Sequence, residues 1–333
     1  MSAAGKFAIF SDDTDRWRLL EADALLALAK LPDACVDAIV TDPPYGIDFA
    51  GEAWDGVDIR RSSHDGLSAN EAFERWTLVW AREARRVLKP GGHLIAFGAP
   101  RTFHRLVSGI EDSGLEVRDQ LLWLYAQGLP KSRRLAGGMA TALKPAYEPI
   151  LLSRAPLAAT TPQNLEEWGT GALGTEATRV NGYWPAHVAT AHAEHCTGTT
   201  CASDCPVGML EGQRQNLSRM FFCAKATKQE REVGCEQLPA QLAKLYNGHH
   251  HSARVRRNTH RTVKPIALMR WLVALMTPPD GVVLDPFTGS GSTGAAALLE
   301  GRQFVGVERE PEYIDIACAR LTHWAHDGVK ESS

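Results

Sequence analysis

The stretch Val36-Asp37-Ala38-Ile39-Val40-Thr41-Asp42-Pro43-Pro44-Tyr45-Gly46 decides how the rest of this chain is read. Its first half is apolar and β-branched with no helical period, which predicts a buried strand. Pro43 and Pro44 then end the ladder, because neither carries a backbone N–H, and Pro43 biases Asp42 toward an extended conformation. The strand end therefore presents a carboxylate, two carbonyls that no helix can use, and an aromatic ring. Such a spot suits a flat, amino-bearing ring: the acceptors take the amino hydrogens and Tyr45 stacks on the face. Asp-Pro-Pro alone would favour a plain strand-to-loop turn; the tyrosine and the downstream sequence change that reading.

Outward from this stretch, strands and helices alternate. Trp17–Glu21 reads as a strand and Ala24–Leu31 as a short helix. A polar, Gly- and Asp-rich loop follows from Gly46 to Ala69, long enough to suggest function or mobility. Ser68 and Glu71 form a capping box that opens a helix to Leu88, stopped by Lys89-Pro90-Gly91-Gly92. His93–Gly98 is the next strand, Phe103–Ser113 a helix and Glu116–Tyr125 a strand. From Gln127 to about Thr262 the period is lost, apart from a strand at Ala146–Ser153. The pattern returns with a helix at Pro265–Met276, a strand at Val282–Asp285, a helix at Gly294–Leu299, a strand at Phe304–Glu308 and a closing helix at Pro311–Trp324. This alternation predicts an α/β, doubly wound, mostly parallel sheet with helices on both faces. The expected division is 1–154, an irregular insert at 155–257, and 258–333.

The 333 residues are 44% hydrophobic, enough for a substantial core, and carry a net charge of −3. That average hides an asymmetry. From Gly212 to Lys264 there are 11 Lys or Arg against 3 Asp or Glu, so this stretch is +8 and the remainder −11. A basic segment on an acidic body suggests a polyanion contact confined to one face, or else a solvated loop region. Met1–Arg16 reads as neither a signal nor a transit peptide, and the best apolar run, Pro265–Pro278, is short and holds Arg270; both observations predict a cytoplasmic protein with no membrane contact.

A second motif lies between a strand and a helix: Asp285-Pro286-Phe287-Thr288-Gly289-Ser290-Gly291-Ser292-Thr293-Gly294. Gly289 and Gly291 allow a tight turn and close approach of a ligand to backbone. Glu308 ends the following strand, where a carboxylate can accept from both hydroxyls of a ribose. The glycine spacing matches the dinucleotide fingerprint, which alone would support a nicotinamide-dependent oxidoreductase. Asp285-Pro286-Phe287 ahead of the glycines argues against it, and oxidoreductase logic leaves Asp42–Tyr45 unexplained. A nucleoside with a small cationic head fits the acidic residues on both sides of the turn better than a pyrophosphate.

Asp-Pro-Pro-Tyr after a strand, together with Asp-Pro-Phe-x-Gly-x-Gly, resembles the amino-methyltransferases that use S-adenosylmethionine. The order, with the Asp42 motif first, the irregular segment second and the glycine motif last, is similar to the permuted, β-class DNA methyltransferases. In that class a target-recognition domain is inserted between the two catalytic parts. The resemblance covers roughly Trp17–Tyr125 and Asn258–Trp324, with flanks at Gly128–Lys131 and Leu143–Pro149; Arg261 stands where the family usually has Pro. It implies that Asp285, Phe287, Gly289 and Gly291 line the methionine and ribose side of the cofactor. Thr262 and Lys264 would lie near its carboxylate, Glu308 would hold the ribose, and Asp23 would sit near the adenine. Two of these have plain alternatives: Asp23 as a helix N-cap and Lys264 as a surface residue at a helix start.

The implied reaction is methyl transfer to N6 of an adenine in double-stranded DNA. The exocyclic amine is a poor nucleophile, because its lone pair is delocalised into the ring. Hydrogen bonds from its two hydrogens to the Asp42 carboxylate and the Pro43 carbonyl would localise that pair, with Pro44 and Tyr45 shaping the site and Tyr45 stacking on the flipped base. The basic segment would contact DNA through Arg254, Arg256 and Arg257, with Lys225, Lys228 and Arg231 as further candidates and Lys131 in the flank. Four residues, His192, Cys196, Cys201 and Cys205, have near-metal spacing and could form a closed structural zinc site. His195 or Cys223 could replace one ligand, or the cysteines could be reduced thiols. Cytosine-N4 methylation is the nearest alternative function, disfavoured because that family tends to carry Ser at the Asp42 position. A non-catalytic zinc module that binds nucleic acid is a further one, and a homodimer is left open.

Overall fold

The computed structural model describes residues 8–62, 66–125, 135–143, 145–180, 182–190, 201–202, 205, 208–209, 212, 221–242 and 255–327. Strands, in chain order, are β1 (Ala8–Phe10), β2 (Trp17–Glu21), β3 (Val36–Thr41), β4 (Leu88–Phe97), β5 (Glu116–Leu124), β6 (Tyr147–Arg154), β7 (Val188–Thr190), β8 (Phe221–Phe222), β9 (Gln241–Leu242), β10 (Val255–Arg256), β11 (Val282–Asp285) and β12 (Gln303–Glu308). Helices that matter below are α1 (Ala24–Leu28), α2 (Val57–Ser62), α3 (Ala69–Val87), α4 (Phe103–Glu111), α5 (Thr161–Trp168), α6 (Lys228–Glu232), α7 (Ile266–Met276), α8 (Ser292–Leu299) and α9 (Pro311–Asp327).

Among the described residues one sheet of ten strands runs β1-β2-β12-β11-β3-β4-β6-β5-β7-β8. Its centre, β2 through β4 in that order, is parallel. β6 lies antiparallel between β4 and β5. This mostly parallel, doubly wound α/β sheet agrees with the expected fold class.

Side-chain alternation explains why the sheet is covered on both faces. Ala38 and Val40 of β3, with Ile95 and Phe97 of β4, join the core built on α7, α8 and α9. Their neighbours Ile39, Leu94 and Ala96 join the other core, with Phe73, Trp80 and Ala84 of α3 and Leu106 and Ile110 of α4. One charge is buried within β3: Asp37 accepts from Lys89 Nζ at 2.6 Å and from the Val282 amide at 2.7 Å, so it also fastens β3 to the start of β11.

The topology fixes where a ligand can sit. β11 passes through α8 to β12 on one side of the sheet order, whereas β3 passes through α3 to β4 on the other. β3 and β11 are adjacent and parallel, so a crevice opens beyond their carboxyl ends, where ligands of open α/β sheets bind.

Three local expectations change. The helix does stop ahead of Lys89–Gly92, but the next strand starts at Leu88 and not at His93: β4 follows α3 directly and absorbs Gly91 at φ 75°. Residues 46–62 carry α2 and two short 3-10 turns rather than a structureless loop. The segment 155–257 contributes β7 and β8 to the main sheet, because β7 pairs in parallel with β5. No helix among the described residues is long and apolar enough to cross a membrane.

Candidate active site at the strand switch

β3 ends at Thr41 and β11 at Asp285, and the Thr41 hydroxyl donates to Asp285 Oδ1 at 2.6 Å. That bond locks the two sequence motifs together, 244 residues apart in the chain. Asp42, next after Thr41, accepts from the Tyr45 hydroxyl at 2.6 Å and from Lys264 Nζ at 2.5 Å. Lys264, just ahead of α7, also reaches Glu148 Oε2 on β6 at 3.2 Å, and the Tyr45 hydroxyl lies 3.3 Å from the same oxygen. Burial pushes the Asp42 carboxyl up, the Lys264 ammonium draws it back, and Glu148 adds to the rise. Burial alone would lower Lys264, but Asp42 and then Glu148 carry it above the ordinary lysine value. It therefore stays a cation, held between the Asp42 and Glu148 carboxyl groups.

A second carboxylate shapes the turn that follows. Asp55 is fully buried. It accepts from the amides of Tyr45, Gly46 (2.9 Å), Ile47 (3.2 Å) and Phe49 (2.7 Å). Burial raises its carboxyl and these amides oppose that. Thr102 at the start of α4 donates to the Tyr45 carbonyl at 2.7 Å. Gly46 is required here: its φ is 67° and a Cβ would come within 2.7 Å of the Phe73 ring. Farther along, Arg261 pairs with Glu52 at 3.2 Å, and Arg309 pairs with Asp58 on α2. Residues 46–62 are thus tied to the half of the chain that carries the glycine turn.

In that turn, Gly289 has φ 52° and any Cβ on it would meet His260 Nε2 at 2.6 Å. Gly291 caps α8 at φ 76° without a side-chain bond, leaving the helix N–H groups at the turn. Glu308 Oε2 accepts from the Gly289 amide at 2.8 Å, while Oε1 accepts from the Arg309 and Glu310 amides at 2.8 and 2.9 Å. Burial pushes Glu308 up to about 7 and Asp285 up to about 6. Phe287 packs against Trp76 and Trp80, both at 5.5 Å between ring centres.

These residues share a cleft of about 2690 Å³, whose lining includes Asp23, Asp42, Tyr45, Thr262, Asp285 and Glu308. Asp23 does cap α1, accepting from the Leu25 amide at 3.0 Å, and it also faces the cleft. S-adenosylmethionine fits this donor set. Three carboxylates on this cleft, Asp42, Asp285 and Glu308, favour a ligand with cationic groups, and Glu308, oriented by three amides, keeps a lone-pair site on Oε2 for a ribose hydroxyl.

The remaining predicted residues separate. Lys131, Arg254, His192 and Cys196 lie outside the described residues. Arg256 lines the cleft, but the Arg257 guanidinium is engaged on the Leu238 carbonyl. Arg231 donates to the His260 carbonyl at 2.6 Å and so braces the interior. Lys225 sits 3.7 Å above the Tyr125 ring at the cleft. Cys205 is buried and Cys201 half-buried, and neither belongs to a cluster of three metal-type ligands among the described residues.

Sequence reasoning missed Asp55, Thr102 and the role of Glu148. Asp55 had a weak signal, an acidic residue inside an apolar Trp54-Asp55-Gly56 stretch. Glu148 lay within the flank that carries the resemblance, yet only folding brings β6 beside β4.

A family profile described as DNA methylase matches residues 36–319. Among curated proteins, the Type II methyltransferase M.HindIII of Haemophilus influenzae is 23% identical over 345 residues, covering 91% of this chain and 94% of its own. The Type II methyltransferase M.HinfI, also of Haemophilus influenzae, is 23% identical over 310 residues, covering 91% of this chain and 67% of its own. Among solved structures, the PvuII DNA methyltransferase, described as cytosine-N4-specific, matches with a TM-score of 0.58 at 16% identity, over 95% of this chain and 93% of that one.

Proposed function

The chain belongs to the DNA methylase family, and from that premise we infer that it transfers the methyl group of S-adenosylmethionine to N6 of an adenine flipped out of double-stranded DNA. One observation carries the reading. The Thr41–Asp285 bond places the Asp42 acceptor and the glycine turn on one crevice, so a cofactor and a target amine would meet there. The chain order, with the target motif ahead of the glycine turn, supports the permuted class. It also supports 155–257 as an insert that reads DNA through Arg256 and its neighbours.

When bound, the cofactor supplies an electrophilic sulfonium methyl. The chain's residues do the rest by position. Asp42 and the Pro43 carbonyl take the two amine hydrogens and leave the nitrogen lone pair free to attack. The Tyr45 ring stacks on the base while Pro44 keeps the turn rigid. Glu308 holds the ribose, Asp285, Phe287, Gly289 and Gly291 line the methionine and ribose, and Asp23 lies toward the adenine. Thr262 stays beside the cofactor carboxylate. Lys264 is placed to hold Asp42 ionised, which keeps it an acceptor.

Cytosine-N4 transfer is the second reading, favoured by the likeness to the PvuII enzyme, which extends to the fold alone. Purified protein incubated with S-adenosylmethionine and duplex DNA, followed by nucleoside analysis, separates the two. N6-methyladenine is expected, N4-methylcytosine would support the second reading, and neither product would overturn both. Thermal stabilisation by S-adenosylhomocysteine and not by NAD is expected alongside; the reverse would favour an oxidoreductase.

A further inference from the structure

We propose that Glu148 receives the proton lost by the target amine, passed from Asp42 through the Tyr45 hydroxyl. The proposal rests on the methyl-transfer reading of the site. Once the amine nitrogen has bonded to the methyl carbon, the carbon–sulfur bond has broken and its electron pair remains on sulfur as a thioether. The nitrogen then carries two hydrogens, a methyl and a positive charge, and one proton must leave.

The geometry provides a path. Asp42 is in place to accept it, and its Oδ1 is 2.6 Å from the Tyr45 hydroxyl. That hydroxyl holds one hydrogen and lies 3.3 Å from Glu148 Oε2. As Tyr45 hands its hydrogen to Glu148, it takes the proton from Asp42, and Asp42 is again an ionised acceptor. Lys264, at 2.5 Å from Asp42 and 3.2 Å from Glu148, is already protonated and cannot serve as base. It tethers both carboxyl groups, so a proton that arrives at Glu148 lies beside an ammonium already paired with Asp42. Other groups facing Glu148 are the Tyr125 hydroxyl and, at longer range, Lys225. Burial pushes the Tyr45 hydroxyl well above its ordinary value, with Asp42 and Glu148 adding to the rise. It therefore relays as a neutral hydroxyl and does not ionise.

The test compares wild type, Glu148→Gln, Glu148→Asp and Tyr45→Phe in single-turnover methyl transfer across pH. Glu148→Gln should slow transfer about 100-fold, the low end for loss of a general base. Cofactor and DNA dissociation constants should stay unchanged. Glu148→Asp should recover most of the lost rate, and Tyr45→Phe should behave as Glu148→Gln. In ligand-free protein the Glu148 carboxylate carbon resonance, assigned by its absence in Glu148→Gln, should shift in Tyr45→Phe. If wild type transfers methyl and both Glu148→Gln and Tyr45→Phe keep its rate and pH profile, the proposal is overturned. It is also overturned if Tyr45→Phe alone is unaffected. Should Glu148→Gln fail to fold, Tyr45→Phe and Glu148→Asp decide. Wild type that transfers no methyl group would overturn the site reading itself, and the relay with it.

Discussion

At position 42 one carboxylate is held from two directions, by the Tyr45 hydroxyl and the Lys264 ammonium, before any substrate arrives. Its backbone is fixed by different means: the amides that follow it converge on Asp55, which sits at the centre of the turn. Asp55→Asn would leave one carbonyl oxygen and turn an N–H toward amides that also donate. Loss of buried charge-assisted bonds typically costs about 1–3 kcal/mol. Denaturant unfolding should find a stability loss in that range, together with slower methyl transfer; unchanged stability and rate would mean that the Asp55 contacts do not hold the turn. At this scale Asp42, Tyr45, Asp285 and Glu308 were legible, because each stands at the end of a strand beside a breaker or a glycine turn. Asp55, Thr102 and Glu148 were not, since their partners are decided by the folded path of the chain and carry no local periodicity.

The elements follow the same division. The Ser68–Glu71 capping box forms as expected, with both reciprocal bonds present, because every group in it lies within one turn. The start of β4 at Leu88 was hidden by Pro90 and two glycines, which normally break a ladder. Here Gly91 takes a left-handed φ and its amide bonds to the Pro156 carbonyl. β7 has only 3 residues and is defined by pairing with β5, which no window of sequence could show. The cysteine-bearing stretch belongs to this scale as well. Its sequence is poor in large aliphatics and offers little apolar surface to bury, and a bound metal would supply ordering energy in its place. Elemental analysis of protein purified without chelators should find about one zinc per chain, as for a closed four-ligand site. Cys201→Ser should release it with cofactor binding intact. Zinc-free, fully folded protein would leave these cysteines as thiols.

Across the whole molecule, two acidic groups brought together by the sheet switch bias its response to pH. Burial holds Glu308 at about 7 and Asp285 at about 6. A carboxyl whose folded value is raised binds more protons in the native state than in the unfolded one. Stability therefore falls as pH rises from the unfolded value of about 4 toward those folded values. Ligand-free protein should lose Tm between about pH 4.5 and 7, and Glu308→Gln should flatten that decline. An identical slope in wild type and variant would remove Glu308 as its source. The same acidic crevice attracts cationic ligand groups, and binding there should offset the loss.

If Asp42 orients an adenine amine beside the glycine turn, genomic DNA from a host expressing the protein carries the product. Sequencing for modified bases should find N6-methyladenine at one recurring sequence with the wild-type chain. None should appear with Asp42→Ala, a variant that should still bind S-adenosylhomocysteine. Methylation that persists in Asp42→Ala, or that falls on cytosine N4, would mean that Asp42 does not orient an adenine amine.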